Sequence, residues 1–140
     1  NATVQIPYLF GTYQMHTVFG SQIPFVPASH EDQQRPGVLK RVLLTKPDLD
    51  PGRIQMVNWA LLPVGSAFAR HYHEDMQEVF VITKGEASMR CGDTEQRLQV
   101  GDCVVVNARE PHEMRNTGNI DVEYIVFGVS AEQGGKTVVC

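Results

Sequence analysis

The stretch from Gly65 to Gly85, GSAFARHYHEDMQEVFVITKG, decides how this chain folds. His71 and His73 are separated by one residue. Side chains on a strand alternate faces, so both imidazoles point the same way, about 6.6 Å apart, a spacing that can clamp one ion. Glu78 lies five residues beyond His73, an odd offset that would turn it away on a continuous strand. A turn at Glu74-Asp75 removes the conflict. The next strand then opens near Glu78, with Glu78, Phe80 and Ile82 on one face and Val79 and Val81 on the other. A third imidazole comes from His112, which follows Pro111 where the chain turns back into the sheet after the run Asp102 to Val106. Together His71, His73, Glu78 and His112 offer three nitrogens and one carboxylate oxygen. That set suits one divalent transition metal ion (Mn, Fe, Co, Ni, Cu or Zn) and disfavours oxygen-preferring Ca or Mg.

Working outward, short apolar or alternating runs recur between turn residues. They are Val38 to Thr45, Gln55 to Leu62, Ala67 to His73, Glu78 to Lys84, Ala87 to Cys91, Arg97 to Val100, Asp102 to Val106, His112 to Asn116 and Val122 to Val129. Each has strand length, is rich in Val, Ile, Thr, Phe or Tyr, and is closed by Gly, Pro, Asn or Asp. No stretch of a dozen residues keeps a helical period. The fold class expected is all-β, an antiparallel sandwich or barrel in a single domain. Residues 1–37 read as an N-terminal arm or first strands and residues 38–140 as the barrel. The first thirty residues carry no Lys, Arg, Asp or Glu, while Tyr8, Phe10, Tyr13, Phe19 and Phe25 crowd into them. Such a segment either starts the barrel or packs on a second subunit. A homodimer is expected, with Val4 to Ile6 and Gln14 to Phe19 as contact strands.

At this point the residues resemble the cupins. The first cupin motif, G-x5-H-x-H-x3or4-E-x6-G, is matched in full by Gly65, His71, His73, Glu78 and Gly85. The second, G-x5-P-x-G-x2-H-x3-N, is matched by Gly101, His112 and Asn116, with Asn107 in place of Pro and Arg109 in place of Gly. The resemblance covers residues 57–129 and implies a jelly-roll barrel whose interior holds the metal on His71, His73, Glu78 and His112. Asn116 closes the motif as a structural residue. A long cation where the family has a small residue predicts a differently shaped loop from Asn107 to Pro111.

Composition narrows the function classes. A formal charge of −4, with Lys and Arg spread along the chain, provides no basic field for nucleic acid. No apolar run approaches the roughly 18 residues needed to span a bilayer. The first residues have no basic stretch followed by a continuous apolar run, so no signal peptide is expected within the chain, and the expectation is a soluble, cytoplasmic protein. Cys91, Cys103 and Cys140 form no CxxC pair and are read as two buried small residues and a loose terminal thiol. His16 and His30 have no company in sequence and are read as structural or exposed. Arg70, Arg109 and Arg115 are read as surface charge, Met76 and Met114 as cavity lining, and Gly134-Gly135-Lys136 as a terminal turn. The partner expected is a small-molecule ligand or substrate, with no nucleic acid and no membrane. Three functions fit: a metalloenzyme acting on a small organic molecule, such as an oxygen-dependent dioxygenase, isomerase or lyase; a non-catalytic module that binds a small metabolite on the metal; or a scaffold with a structural ion.

Overall fold

A computed structural model describes residues 15–131 and 136–140. Among them the strands are β1 (Val26–Pro27), β2 (Leu39–Thr45), β3 (Ile54–Leu62), β4 (His71–His73), β5 (Met76–Lys84), β6 (Ala87–Cys91), β7 (Thr94–Leu98), β8 (Cys103–Val106), β9 (His112–Asn116), β10 (Val122–Ser130) and β11 (Thr137–Val139). Among the described residues the only helical pieces are single 3-10 turns at Gly20–Gln22 and Lys46–Asp48. The fold is all-β and a single domain. It is jelly-roll-like, built as two distinct antiparallel sheets facing each other rather than one closed barrel. The larger runs β1-β2-β3-β10-β5-β8 and the smaller β11-β4-β9-β6-β7.

Strand alternation sets the interior. Along β5, Met76, Glu78, Phe80 and Ile82 are buried and the residues between them are not; β10 alternates in the same way from Val122 to Ser130. Register then stacks these residues in rows across the large sheet: Tyr124 opposes Ala60 and Ile82, and Val126 opposes Asn58 and Phe80. Phe68, Leu62, Ile82, Met114 and Val122 fill the space between the sheets and are almost fully buried. At about 25 cal/mol per Å² of apolar area, each such side chain contributes roughly 1.5–3 kcal/mol. A fold with many buried strands is therefore expected to hold together without help from an ion.

Several expected boundaries move, each for a local reason. The run from Ala67 narrows to β4 because Ala69 N–H donates to the Glu31 side chain at 2.8 Å instead of a neighbouring strand. Ala67 keeps only an isolated bridge to Arg115. β7 begins at Thr94, not Arg97, because a tight turn at Gly92 (φ 57) pairs Cys91 with Thr94 and carries exposed polar residues along the ladder. Val26–Pro27 and Thr137–Val139 are additional short edge strands. Residues 15–19 form no strand, and Val4 to Ile6, Gln14, Gly134 and Gly135 lie outside the described residues. Cys103 is exposed rather than buried, and all three thiols are free. Among the described residues no helix is long and apolar enough to cross a membrane.

Candidate metal centre

Three strands converge to build the site. On β4, His71 and His73 face inward and Tyr72 between them does not. The bend at Glu74-Asp75 lets β5 begin at Met76 with Glu78 on its buried face. On β9, His112 is the residue paired directly with His71. One nitrogen or oxygen from each of His71, His73, Glu78 and His112 lies within 4.8 Å of all the others, and all four residues are buried.

The hydrogen bonds behind the rings aim them. His71 Nδ1 donates to Ala69 O at 2.7 Å, and His112 Nδ1 donates to Glu110 O at 2.9 Å. A carbonyl only accepts, so both Nδ1 atoms carry protons and each ring turns its Nε2 inward. His73 Nδ1 meets the Thr137 hydroxyl at 3.0 Å. Inside the site, Glu78 Oε1 lies 2.8 Å from His73 Nε2, 3.1 Å from His112 Nε2 and 3.7 Å from His71 Nε2. The last is too long for a hydrogen bond, and His71 Nε2 is a buried polar atom without a partner. Three Nε2 atoms converging on one carboxylate oxygen need a cation among them, a proton or a metal ion. Burial pushes the Glu78 carboxyl up, but the His112, His71 and His73 imidazoles around it outweigh that and hold the carboxyl well below its usual range. The centre is therefore an anion in a collar of imidazoles. With an unpartnered nitrogen and donors of this type, it fits a divalent transition metal.

The centre forms one end of a cavity of about 360 Å³, at the lower end of the range for small-molecule sites. Phe80, Asn58, Tyr124 and Met76 line it, whereas Met114, fully buried in the core, does not. Burial first, then the charges of Glu78 and Glu31, push the Tyr124 phenol up, so it faces the cavity as a neutral hydroxyl.

One neighbour of the centre was not legible in the sequence. His30 lies flat on His71, ring centroids 4.0 Å apart and planes 20° apart, and edge-on to Phe68. Burial, with the nearby His71, lowers its pKa to about 3, so the ring stays neutral. Its loop is tied down by Glu31, whose buried carboxylate accepts from Gly37 N–H and Ala69 N–H, both at 2.8 Å. No spacing rule links residue 30 to residue 71; only the charge-free stretch ending in His30-Glu31 hinted at an unusual environment.

The motif departures read differently in three dimensions. Arg109 is the described non-glycine residue with positive φ, at 67°, so it adopts the left-handed conformation that a glycine takes at that motif position. The loop keeps that shape because Arg109 N–H donates to His73 O at 2.7 Å, stitching the second motif to the first. Its side chain is exposed, as are those of Arg70 and Arg115. Asn116 is structural: its Nδ2 donates to Leu62 O and Ile120 O, and its Oδ1 accepts from Gly118 N–H.

Comparison with known proteins places these observations. An uncharacterised protein of Methanocaldococcus jannaschii is 28% identical over 82 residues, covering 59% of this chain and 66% of that protein. An oxalate-binding protein of Thermotoga maritima is 33% identical over 64 residues, covering 46% of this chain and 53% of that one. The matches thus span about two thirds and about half the length of these curated relatives. The crystal structure of a predicted oxalate decarboxylase from Thermotoga maritima superposes with a TM-score of 0.73 at 26% identity, covering 82% of this chain and 99% of that one. The cupin domain family matches residues 58–128, just over half of the chain and the whole span from β3 to β10 that carries the centre. With its fold, its motif residues and that match in agreement, the chain belongs to the cupin domain family.

Proposed function

We propose that the protein holds one divalent transition metal on His71, His73, Glu78 and His112 and takes a small organic molecule from the cavity onto it, as a metal-dependent enzyme. The observation that carries this reading is the unpartnered, buried Nε2 of His71 facing Glu78 in the wall of a cavity large enough for such a molecule. Held by those four residues, a divalent ion would supply Lewis-acid or redox chemistry to a small organic molecule in the cavity. In this reading Glu78 is a ligand and not a base. Tyr124 and Asn58 orient the ligand as neutral hydrogen-bonding groups, and Phe68 and Phe80 exclude water around the centre. A second reading, a module that binds without turnover, is favoured by the name of the oxalate-binding relative.

The test is metal analysis of protein purified without added metal or chelator, followed by calorimetric titration with oxalate and by oxygen-electrode assays. One metal per chain and oxalate binding abolished by chelation are expected. Oxygen uptake with a bound organic acid selects the enzyme; tight binding without turnover selects the module. Metal-free protein that matches a His71→Ala variant in every assay overturns both.

We also propose that the protein pairs as a homodimer. Support comes from Met15 and Phe19, 91% and 63% exposed near the N-terminal end of the described chain. Sedimentation as a clean monomer near 15.6 kDa would overturn it.

A further inference from the structure

The cavity is chemically asymmetric. Its inner end is the buried centre, where Glu78 is surrounded by imidazoles; its outer end includes Ser29, which is exposed, and Lys40, which is half-buried. Lys40 sits on β2 directly opposite Ala60, an inward-facing residue of β3, so the lysine projects from the inner face of the sheet. Ala60 leaves room beside it. From β5, which carries Glu78, the sheet runs through β10 and β3 before reaching β2. Three strand spacings of about 4.8 Å put the two charges on well-separated walls.

A lysine on the inner face of a sheet needs a reason. Its Nζ donates to the Ser29 hydroxyl at 3.4 Å, and among the described residues it has no carboxylate within ion-pairing distance. Burial already pushes its pKa down, so the ammonium is partly desolvated with only that long hydrogen bond to compensate. With a divalent ion on the centre, the charged groups lining the cavity sum to a net positive field, because Glu78 offsets only part of the metal charge and Lys40 adds to it.

We infer that Lys40 recognises an anionic group on the ligand, remote from the end that meets the metal, so that the ligand is a small organic acid with two separated polar ends. This rests on the metal-centred reading above and adds the ligand class. A dicarboxylate of the succinate or glutarate kind has the required form, whereas oxalate, with its two carboxylates directly joined, reaches only the metal end. A charge-assisted contact of this type changes affinity by about tenfold or more.

The experiment uses the full chain loaded with cobalt, as wild type, Lys40→Met and Lys40→Arg, with metal content and the cobalt visible spectrum recorded for each. Each is titrated calorimetrically with succinate, glutarate, oxalate and the neutral diamide of glutarate. The expected result is a loss of about tenfold or more for glutarate or succinate in Lys40→Met, partial recovery in Lys40→Arg, little change for oxalate, and no binding of the diamide. Metal content and spectrum stay as in the wild type. The inference is overturned if Lys40→Met binds both dicarboxylates as the wild type does, if it weakens oxalate equally, or if the wild type binds neither dicarboxylate at millimolar concentration. Wild-type protein that takes up no cobalt instead overturns the metal centre. In that case dicarboxylate binding that still depends on Lys40 upholds the present inference, and its absence overturns it as well.

Discussion

Residues 71–112 and residues 28–40 both line the cavity, but they are held there on different terms. In the first region three strands present the ligand set, and every inward ring has its Nδ1 partnered, to Ala69 O, Glu110 O or the Thr137 hydroxyl. In the second, His30 sits on a loop between β1 and β2 that one buried carboxylate, Glu31, ties to Gly37 and Ala69. The contrast teaches that a cavity wall can rest on a distributed strand ladder or on a loop tied to the sheet by one carboxylate, with Gln33 bracing the loop at Ala28 O and Glu31 O. The ladder should tolerate the loss of one member better than the loop tolerates the loss of Glu31.

The largest effect expected is on the ladder's chemistry and not on its fold. His71→Ala or His112→Ala should take metal occupancy from one per chain to near zero while the metal-free chain stays folded. Chelation of the wild type should lower its melting temperature, since metal at a hundredfold excess over Kd stabilises by about 2.7 kcal/mol. The variants should not respond to chelator. Identical melting curves for wild type, chelated wild type and both variants would break the comparison, for then no ion binds there.

The tether is tested by Glu31→Ala, which strands two backbone N–H groups and should cost about 2–4 kcal/mol, with Glu31→Gln costing less. Hydrogen exchange should quicken at Gly37 and Ala69, and metal content should hold. Loss of metal together with the loop would show the two regions to be one unit.

Acid sharpens the contrast. Folded His30, with its pKa near 3, stays neutral where the unfolded chain takes up a proton near 6.5. Stability is therefore fully present above about pH 6.5 and falls by about 1.4 kcal/mol for each unit below it, until pH reaches about 3. Glu78 shifts in the same direction but over a lower range: its depressed carboxyl adds stability above the ordinary carboxyl range, lost only as pH falls through the depressed value. Urea unfolding at pH 7 and pH 5 thus isolates His30. Chelated wild type should lose about 2 kcal/mol more than His30→Gln over that interval. A nearby bound cation would disfavour the His30 proton further, keeping the sign.

The smallest effect is at Arg109. Replacing it with glycine relieves a left-handed residue but frees the unfolded chain, so Arg109→Gly should stabilise by up to about 1 kcal/mol. Arg109→Val should destabilise by about 1–2 kcal/mol, because a branched Cβ is worse there. A thermal melt in which glycine destabilises as much as valine would show that the contact of Arg109 Nε with Glu74 O, 3.3 Å, outweighs the backbone strain.

The four candidate ligands and the strands that bear them were legible from local pattern, alternation along a strand and an odd offset that demands a turn, whereas the structural place of Asn116 came from the motif resemblance. Arg109 shows the edge of that legibility. Its departure from the motif predicts a changed loop, yet the backbone keeps the glycine conformation, because the hydrogen bond to His73 O holds it.

What only the folded chain reveals is who stands beside the centre. His30 lies against His71, Thr137 reaches His73 from an edge strand, and Lys40 faces the cavity from three strands beyond Glu78. None of these pairings leaves a periodic trace. Alternation is a property of neighbouring residues, set by local backbone geometry, whereas the company of distant side chains depends on sheet order and loop anchoring. Those are decided by burial and hydrogen bonding summed over the whole chain.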